Sequence, residues 1–207
     1  MHLRHLSAAA AFLIASAAAA PAAAATVVPV PHFESIELNG GGTIVLRRGP
    51  VQRVTIRNGS TEFTDVRVTG RGSRRIGRST VLNSDSRLVI DACNRRCPTR
   101  YDLEIEIVTP DVGAVAINGG GEIVVQPGFA QQRTVAAAVN GGGEIDLRAL
   151  PVRDVAAAVN GGGRLLVRAQ ESLAAAVHGG GEIRYWGDPD VSTSIQGGGV
   201  VRRGTER

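Results

Sequence analysis

The chain has 207 residues, 43% hydrophobic and 20% charged, and its formal net charge of +4 rests on arginine alone, because no lysine occurs. That is enough apolar material for a core. It excludes chemistry that needs an amine: the lysine of a G-x-x-x-x-G-K-[ST] phosphate loop, a Schiff base, an S-x-x-K acyltransferase. Aromatics at 3% beside 27 glycines argue against bulky helical packing.

Positive charge at Met1 to His5, an apolar run from Leu6 to Ala20 and small residues from Pro21 to Ala25 have the layout of a secretory signal peptide. Ala23 and Ala25 fit an A-x-A cleavage site, so the reading assigns residues 1–25 to the leader and 26–32 to a short linker. The product is expected in the periplasm or outside the cell. The apolar run is too short and too alanine-rich for a stable membrane span, so no transmembrane anchor is expected.

Two strand-like regions follow. In residues 33–110 the segment His32 to Asn39 leads into a first glycine triplet, Thr43 to Arg48 alternates, and Asn58-Gly59 is a hairpin signal. Beyond it lie Phe63 to Thr69, a Gly/Arg/Ser loop over residues 70–80, Arg87 to Ile90 and the alternating Tyr101 to Val108. Cys93 and Cys97 sit in a polar loop and are expected to form a disulfide in an oxidising compartment. No other Cys and no His is near, so no metal site is expected there.

Residues 111–204 repeat. Glycine triplets occur at Gly40, Gly41 and Gly42; Gly119, Gly120 and Gly121; Gly141, Gly142 and Gly143; Gly161, Gly162 and Gly163; Gly179, Gly180 and Gly181; and Gly197, Gly198 and Gly199. From Asn118 onward the residues preceding the triplets are Asn118, Asn140, Asn160, His178 and Gln196, at spacings of 22, 20, 18 and 18. A period near 20 indicates stacked structural repeats. Around each triplet apolar residues recur at every second position, as in Val155, Ala157, Val159, then Leu165, Val167, so the flanks are strands. The first and third glycines share the inward register, which makes each triplet a bend where neighbouring coils crowd. The expected fold is all-β: a right-handed parallel β-helix-like solenoid with Gly-Gly-Gly bends, capped by an N-terminal β-sheet subdomain. Stacking should align Asn118, Asn140, Asn160, His178 and Gln196 as a polar ladder, next to an outward row of Glu122, Glu144, Arg164 and Glu182.

Phe33-x-x-Ile-x-Leu-x-Gly, Leu88-Val-Ile, Ile107-Val-Thr-Pro-Asp-Val, the serial triplets and Tyr185-Trp-Gly-Asp-Pro-Asp190 together resemble the putative auto-transporter adhesin head GIN domain family, over about Phe33 to Gly204. Members usually carry Gly-Ser-Gly followed by Asp or Asn at the bend, where this chain has Gly-Gly-Gly followed mostly by Glu. The resemblance implies a β-helical envelope or secreted protein with no assigned activity and brings no catalytic residues.

No H-E-x-x-H, G-x-S-x-G or C-x-x-C motif occurs, and only His32 and His178 lie beyond the leader. No catalytic residue, metal or cofactor is assigned. The alternative enzyme reading is a polysaccharide lyase or hydrolase using Glu122, Glu144 and Glu182 near His178 and Arg164; one Glu per coil on an open face lacks a water-excluding pocket. The expected role is a non-enzymatic surface-interaction or adhesin-like module, with a purely structural self-assembling module as a further alternative. Arg71, Arg74, Arg75 and Arg78 form a basic loop suited to an anionic envelope glycan or lipid. The outward Ala136, Ala156 and Ala174 offer an apolar face for self-association. Nucleic acid is not expected, since stacking aromatics are scarce.

Overall fold

A computed structural model describes residues 25–70, 74–76, 79–81, 86–94 and 97–205. Residues 1–24 of the expected signal peptide lie outside the described residues. So do Arg71 and Arg78 of the basic loop and the side chains of its Arg74 and Arg75.

The described chain is all strand and turn: β1 (Thr26–Val28), β2 (Ser35–Gly40), β3 (Thr43–Arg48), β4 (Arg53–Asn58), β5 (Asp65–Thr69), β6 (Arg74–Ile76), β7 (Ser79–Val81), β8 (Arg87–Asp91), β9 (Glu104–Thr109), β10 (Ala114–Gly119), β11 (Glu122–Val125), β12 (Gln132–Gly141), β13 (Glu144–Gly161), β14 (Arg164–Gly179), β15 (Glu182–Trp186), β16 (Asp190–Gln196) and β17 (Val200–Arg203). Strands β6 and β7 pair antiparallel as a separate two-stranded sheet, and the other fifteen belong to one sheet.

That sheet has two walls. On the first, β8, β2, β10, β12, β13, β14 and β16 run parallel, with Ala114, Ala136, Ala156, Ala174 and Ser192 in one row. On the second, β9, β3, β11, β13, β14, β15 and β17 run parallel, with Glu122, Glu144, Arg164, Glu182 and Val200 in one row. Glycine triplets carry the chain from the first wall to the second. Alternate side chains point between the walls, where Leu38, Ile117, Val139, Val159 and Val177 meet Ile44, Ile123, Ile145, Leu165 and Ile183 in a continuous core.

The sheet is mixed and nearly closed into a barrel, which corrects the expected right-handed parallel β-helix-like solenoid with a separate cap. On the side away from the glycines, β13 and β14 run through as single strands of 18 and 16 residues, so both walls are one sheet. The chain turns this corner by register shifts between Leu147 and Asp154, around Pro151, rather than by a loop. The N-terminal strands join the same sheet: β4 pairs antiparallel with β9 and with β1, and β5 pairs antiparallel with β8. Asn58-Gly59 does not close a hairpin, because β4 and β5 pair with strands of different walls.

The bends explain two glycines of each triplet and leave one open. Gly141 has φ +126°, and a Cβ there would stand 2.5 Å from the carbonyl oxygen of Gly119. At Gly143 a Cβ would meet the Gly121 oxygen at 2.6 Å and Ile117 Cγ2 at 2.8 Å, whereas a Cβ on Gly142 meets nothing within 4 Å. From Gly119 onward the outer glycines are fixed by backbone stacking, and the middle one faces open space.

Candidate functional site

Beside the bends on the first wall, the amides form a one-way row. Asn39 donates to Asp91 Oδ1 at 2.7 Å, and Asn118, Asn140 and Asn160 each donate to the preceding amide oxygen at 2.8 Å. His178 Nδ1 lies 3.0 Å from Asn160 Oδ1, and Gln196 stands in register beside His178. The row ends on a carboxylate. Burial alone would raise the Asp91 pKa, but hydrogen bonds from Asn39 and Arg67 outweigh it and hold the group below the usual aspartate range. Each amide gives one of its two N–H donors to its neighbour, so the row stiffens the wall.

The same wall carries Ala114, Ala116, Ala136, Ala138, Ala156, Ala158, Ala174 and Ala176 outward, along a shallow groove of about 700 Å³. Ser35 and Glu37 end it on one side, Ser192 and Ser194 on the other. Small side chains on four parallel strands make this face flat.

The outer surface of the second wall is rich in arginine over β13, β14, β15 and β17. Arg148, Arg164, Arg168 and Arg184 surround a depression of about 840 Å³ that Asp146 and Trp186 also line. The acids lie beneath the arginines: side-chain exposure is 50% for Arg148, 49% for Arg164 and 55% for Arg202, against 17% for Asp146 and 18% for Glu182. Arg148 binds Asp146 through Nε and Nη2 and lies 5.4 Å over the Trp186 ring, which fixes its guanidinium plane. Glu182 accepts from Arg184 at 2.5 Å, from Arg202 at 2.6 Å and from Arg164 at 3.3 Å. The Arg184 hydrogen bond, followed by that of Arg202, holds its carboxyl below the usual glutamate range against the opposing effect of burial. A guanidinium has five donors, and an ion pair uses two at most, so this wall presents oriented N–H groups to solvent.

Of the residues named for an enzyme, Glu122, Glu144, Arg164 and Glu182 share one row and His178 stands apart from them. Arg164 lies between Glu144 and Glu182, at 3.1 and 3.3 Å, while His178 is held by Asn160 on the other wall. Among the described residues no group of three His, Cys, Asp or Glu could hold a metal ion, and no helix is long and apolar enough to cross a membrane. Cys93 and Cys97 form a disulfide, beside the Phe63–Tyr101 ring pair at the N-terminal end. The arginine wall escapes a motif search because its members are scattered along the chain. Carrying the repeat alignment beyond the Glu122 row would have found Arg184 and Arg202 in one row and Arg168 and Trp186 in the next.

The sequence model of the family described as putative auto-transporter adhesin, head GIN domain, matches residues 75–189. The chain belongs to this family. Among solved structures, this GIN domain chain is similar to a putative adhesin from Bacteroides fragilis, at 18% identity and a TM-score of 0.52, covering 86% of this chain and 95% of that one. That likeness shows the fold. Weaker likenesses are to a putative adhesin and a putative lipid binding protein from Parabacteroides distasonis, at 16% and 15% identity with TM-scores of 0.41 and 0.34. Each covers 87% of this chain and 96% of the other. Comparison with curated proteins finds no match.

Proposed function

We propose that this GIN domain protein is an exported, non-enzymatic, adhesin-type module that binds an anionic envelope polymer through its arginine wall. The observation that carries the reading is the layering of charge: exposed guanidinium groups over recessed carboxylates, oriented by Asp146, Glu182 and Trp186. Adjacent strands lie about 4.8 Å apart, so a linear polymer crossing β13, β14, β15 and β17 meets an arginine on every strand. The ligand chemistry is phosphate or carboxylate repeated along one chain, which a guanidinium fork pairs. The basic segment of Arg71, Arg74, Arg75 and Arg78 is proposed as a second contact for the same polymer. The leader-like residues 1–25 and the disulfide support the exported setting.

The test is binding of the purified protein to lipopolysaccharide and to an acidic glycan, with a neutral glycan as control, at low and at physiological salt. Saturable, salt-weakened binding is expected for the acidic polymers only. At roughly 0.5–1 kcal/mol per exposed arginine, the double variant Arg168→Gln/Arg184→Gln should lose about five- to thirtyfold in affinity. Absence of saturable binding at low salt would overturn the proposal.

A second reading, self-association through the Ala136, Ala156 and Ala174 face, is favoured by the flat apolar groove. Sedimentation of Ala156→Glu tests it: the variant should shift an association that the wild type shows.

A further inference from the structure

The two ends of the barrel differ. At the N-terminal end β1, β4 and β5 lie outside the parallel strands, and Phe33, Leu103 and Ile105 are buried there. At the C-terminal end β16 pairs only with β14 and β17 only with β15 among the described residues. Val191, Thr193 and Ile195 hold the inward register of Leu173, Ala175 and Val177. Those three are 1%, 3% and 0% exposed, yet Val191 and Ile195 are 39% and 45% exposed. The core therefore stops at an open face.

Free sheet edges in native proteins are usually guarded by charge, proline, a bulge or shortness. β17 carries Arg202 and Arg203, β5 carries Asp65 and Arg67, and β1 has three residues. Between Val191 and Gln196, β16 has none of these guards. Its sequence is also symmetric in residue class about Thr193: Val191-Ser192-Thr193-Ser194-Ile195 reads apolar, Ser, Thr, Ser, apolar in both directions.

We propose that two copies of the chain join end to end by antiparallel pairing of β16 with β16 of the second copy, about a two-fold axis at Thr193. This register sets Thr193 against Thr193, Ser192 against Ser194, Val191 against Ile195 and Asp190 against Gln196. Within β16 no like charges face each other, and Val191 and Ile195 of both copies lie on the core side. Shifting the axis to Ser192 or Ser194 keeps the pleat but replaces the Val191–Ile195 pairs, because a register with one face buried is specified by its apolar pattern. The occupant is a second copy because the pattern Val-Ser-Thr-Ser-Ile is complementary to itself in this register, the self-complementarity of an isologous contact. Seven residues span about 23 Å, so the contact is of the small class, below about 1,200 Å² in total.

The experiment is sedimentation of the protein expressed from the full chain, over a concentration series, with three variants. The wild type is expected to pass from monomer to dimer. Thr193→Lys, which sets two ammonium groups face to face, is expected to weaken the dimer about tenfold or more; Thr193 is exposed, so the variant should keep the wild-type circular dichroism and melting temperature. Thr193→Cys should form a covalent dimer on mild oxidation faster than Ser192→Cys, since only residue 193 meets its own copy across the axis. A wild type monomeric at every concentration, or equal cross-linking of the two cysteine variants, would overturn the proposal. So would a dimer that survives Thr193→Lys and is lost in Ala156→Glu, because that places the contact on the alanine face.

Discussion

Replacing Gly161 and Gly162 by alanine, one at a time, separates the two physical roles inside a triplet. Gly161 has φ +123°, and its added Cβ would stand 2.6 Å from the Gly141 carbonyl oxygen, well inside an ordinary contact of 3.4–4 Å. Holding an L-residue at such a φ costs about 1–3 kcal/mol. The clash adds about 1–3 kcal/mol of overpacking, because both atoms belong to a hydrogen-bonded backbone ladder that cannot move locally. Alanine returns about 0.4–1 kcal/mol by restricting the unfolded chain. Gly161→Ala should therefore destabilise by about 3 kcal/mol, or about 6–12 °C in Tm for a domain of this size. At Gly162 no atom lies within 4 Å of the added Cβ and φ is not positive, so Gly162→Ala should be neutral or stabilising by up to about 1 kcal/mol. Urea unfolding followed by circular dichroism measures both. Variants within about 0.5 kcal/mol of each other, inside the scatter of ordinary surface substitutions, would refute the assignment of distinct roles to the two positions.

Three further outcomes are expected. Glu182 has a folded-state pKa below its ordinary value of 4.5; its contribution is complete above that value and is lost as pH falls below it toward the folded pKa. Melting temperatures between neutral and acid pH should therefore fall less steeply for Glu182→Gln than for the wild type. Arg148→Ala removes the guanidinium over the chain's single tryptophan, so the emission of Trp186 should shift to the red, at a cost of about 0.5–1 kcal/mol. Asn140→Ala interrupts the amide row between Asn118 and Asn160; because water can reach the broken ends, the cost in urea unfolding should stay near 1 kcal/mol.

Much of the two-walled core was legible in the sequence, because a period of two states which side chain points inward and the triplets state where the chain turns. Val135, Ala137 and Val139 are buried as that parity requires. Strand ends on the far side were not legible. Arg148-Ala149-Leu150-Pro151 looks like a connection, yet it stays within β13 as an irregular stretch of strand, and that continuity makes the walls one sheet. Pairing direction was equally hidden: nothing in Arg53–Asn58 or Asp65–Thr69 says that these strands run antiparallel to β9 and β8. The arginine wall was missed for a different reason. Its residues repeat once per layer, so each looks like an ordinary surface charge until the layers are aligned.

The register of the parallel strands has a genetic corollary. Residues 135–143 and 155–163 carry the same nine-residue sequence, Val-Ala-Ala-Ala-Val-Asn-Gly-Gly-Gly. Recombination between the two copies would excise residues 144–163 and leave Gly143 followed by Arg164, the junction Gly163 already makes. The shortened chain keeps every inward side chain in phase and loses one strand spacing of height, about 4.8 Å. Unequal exchange in the other direction adds the same increment. The height of this barrel is thus a quantity that replication errors can adjust in whole steps without redesigning a core.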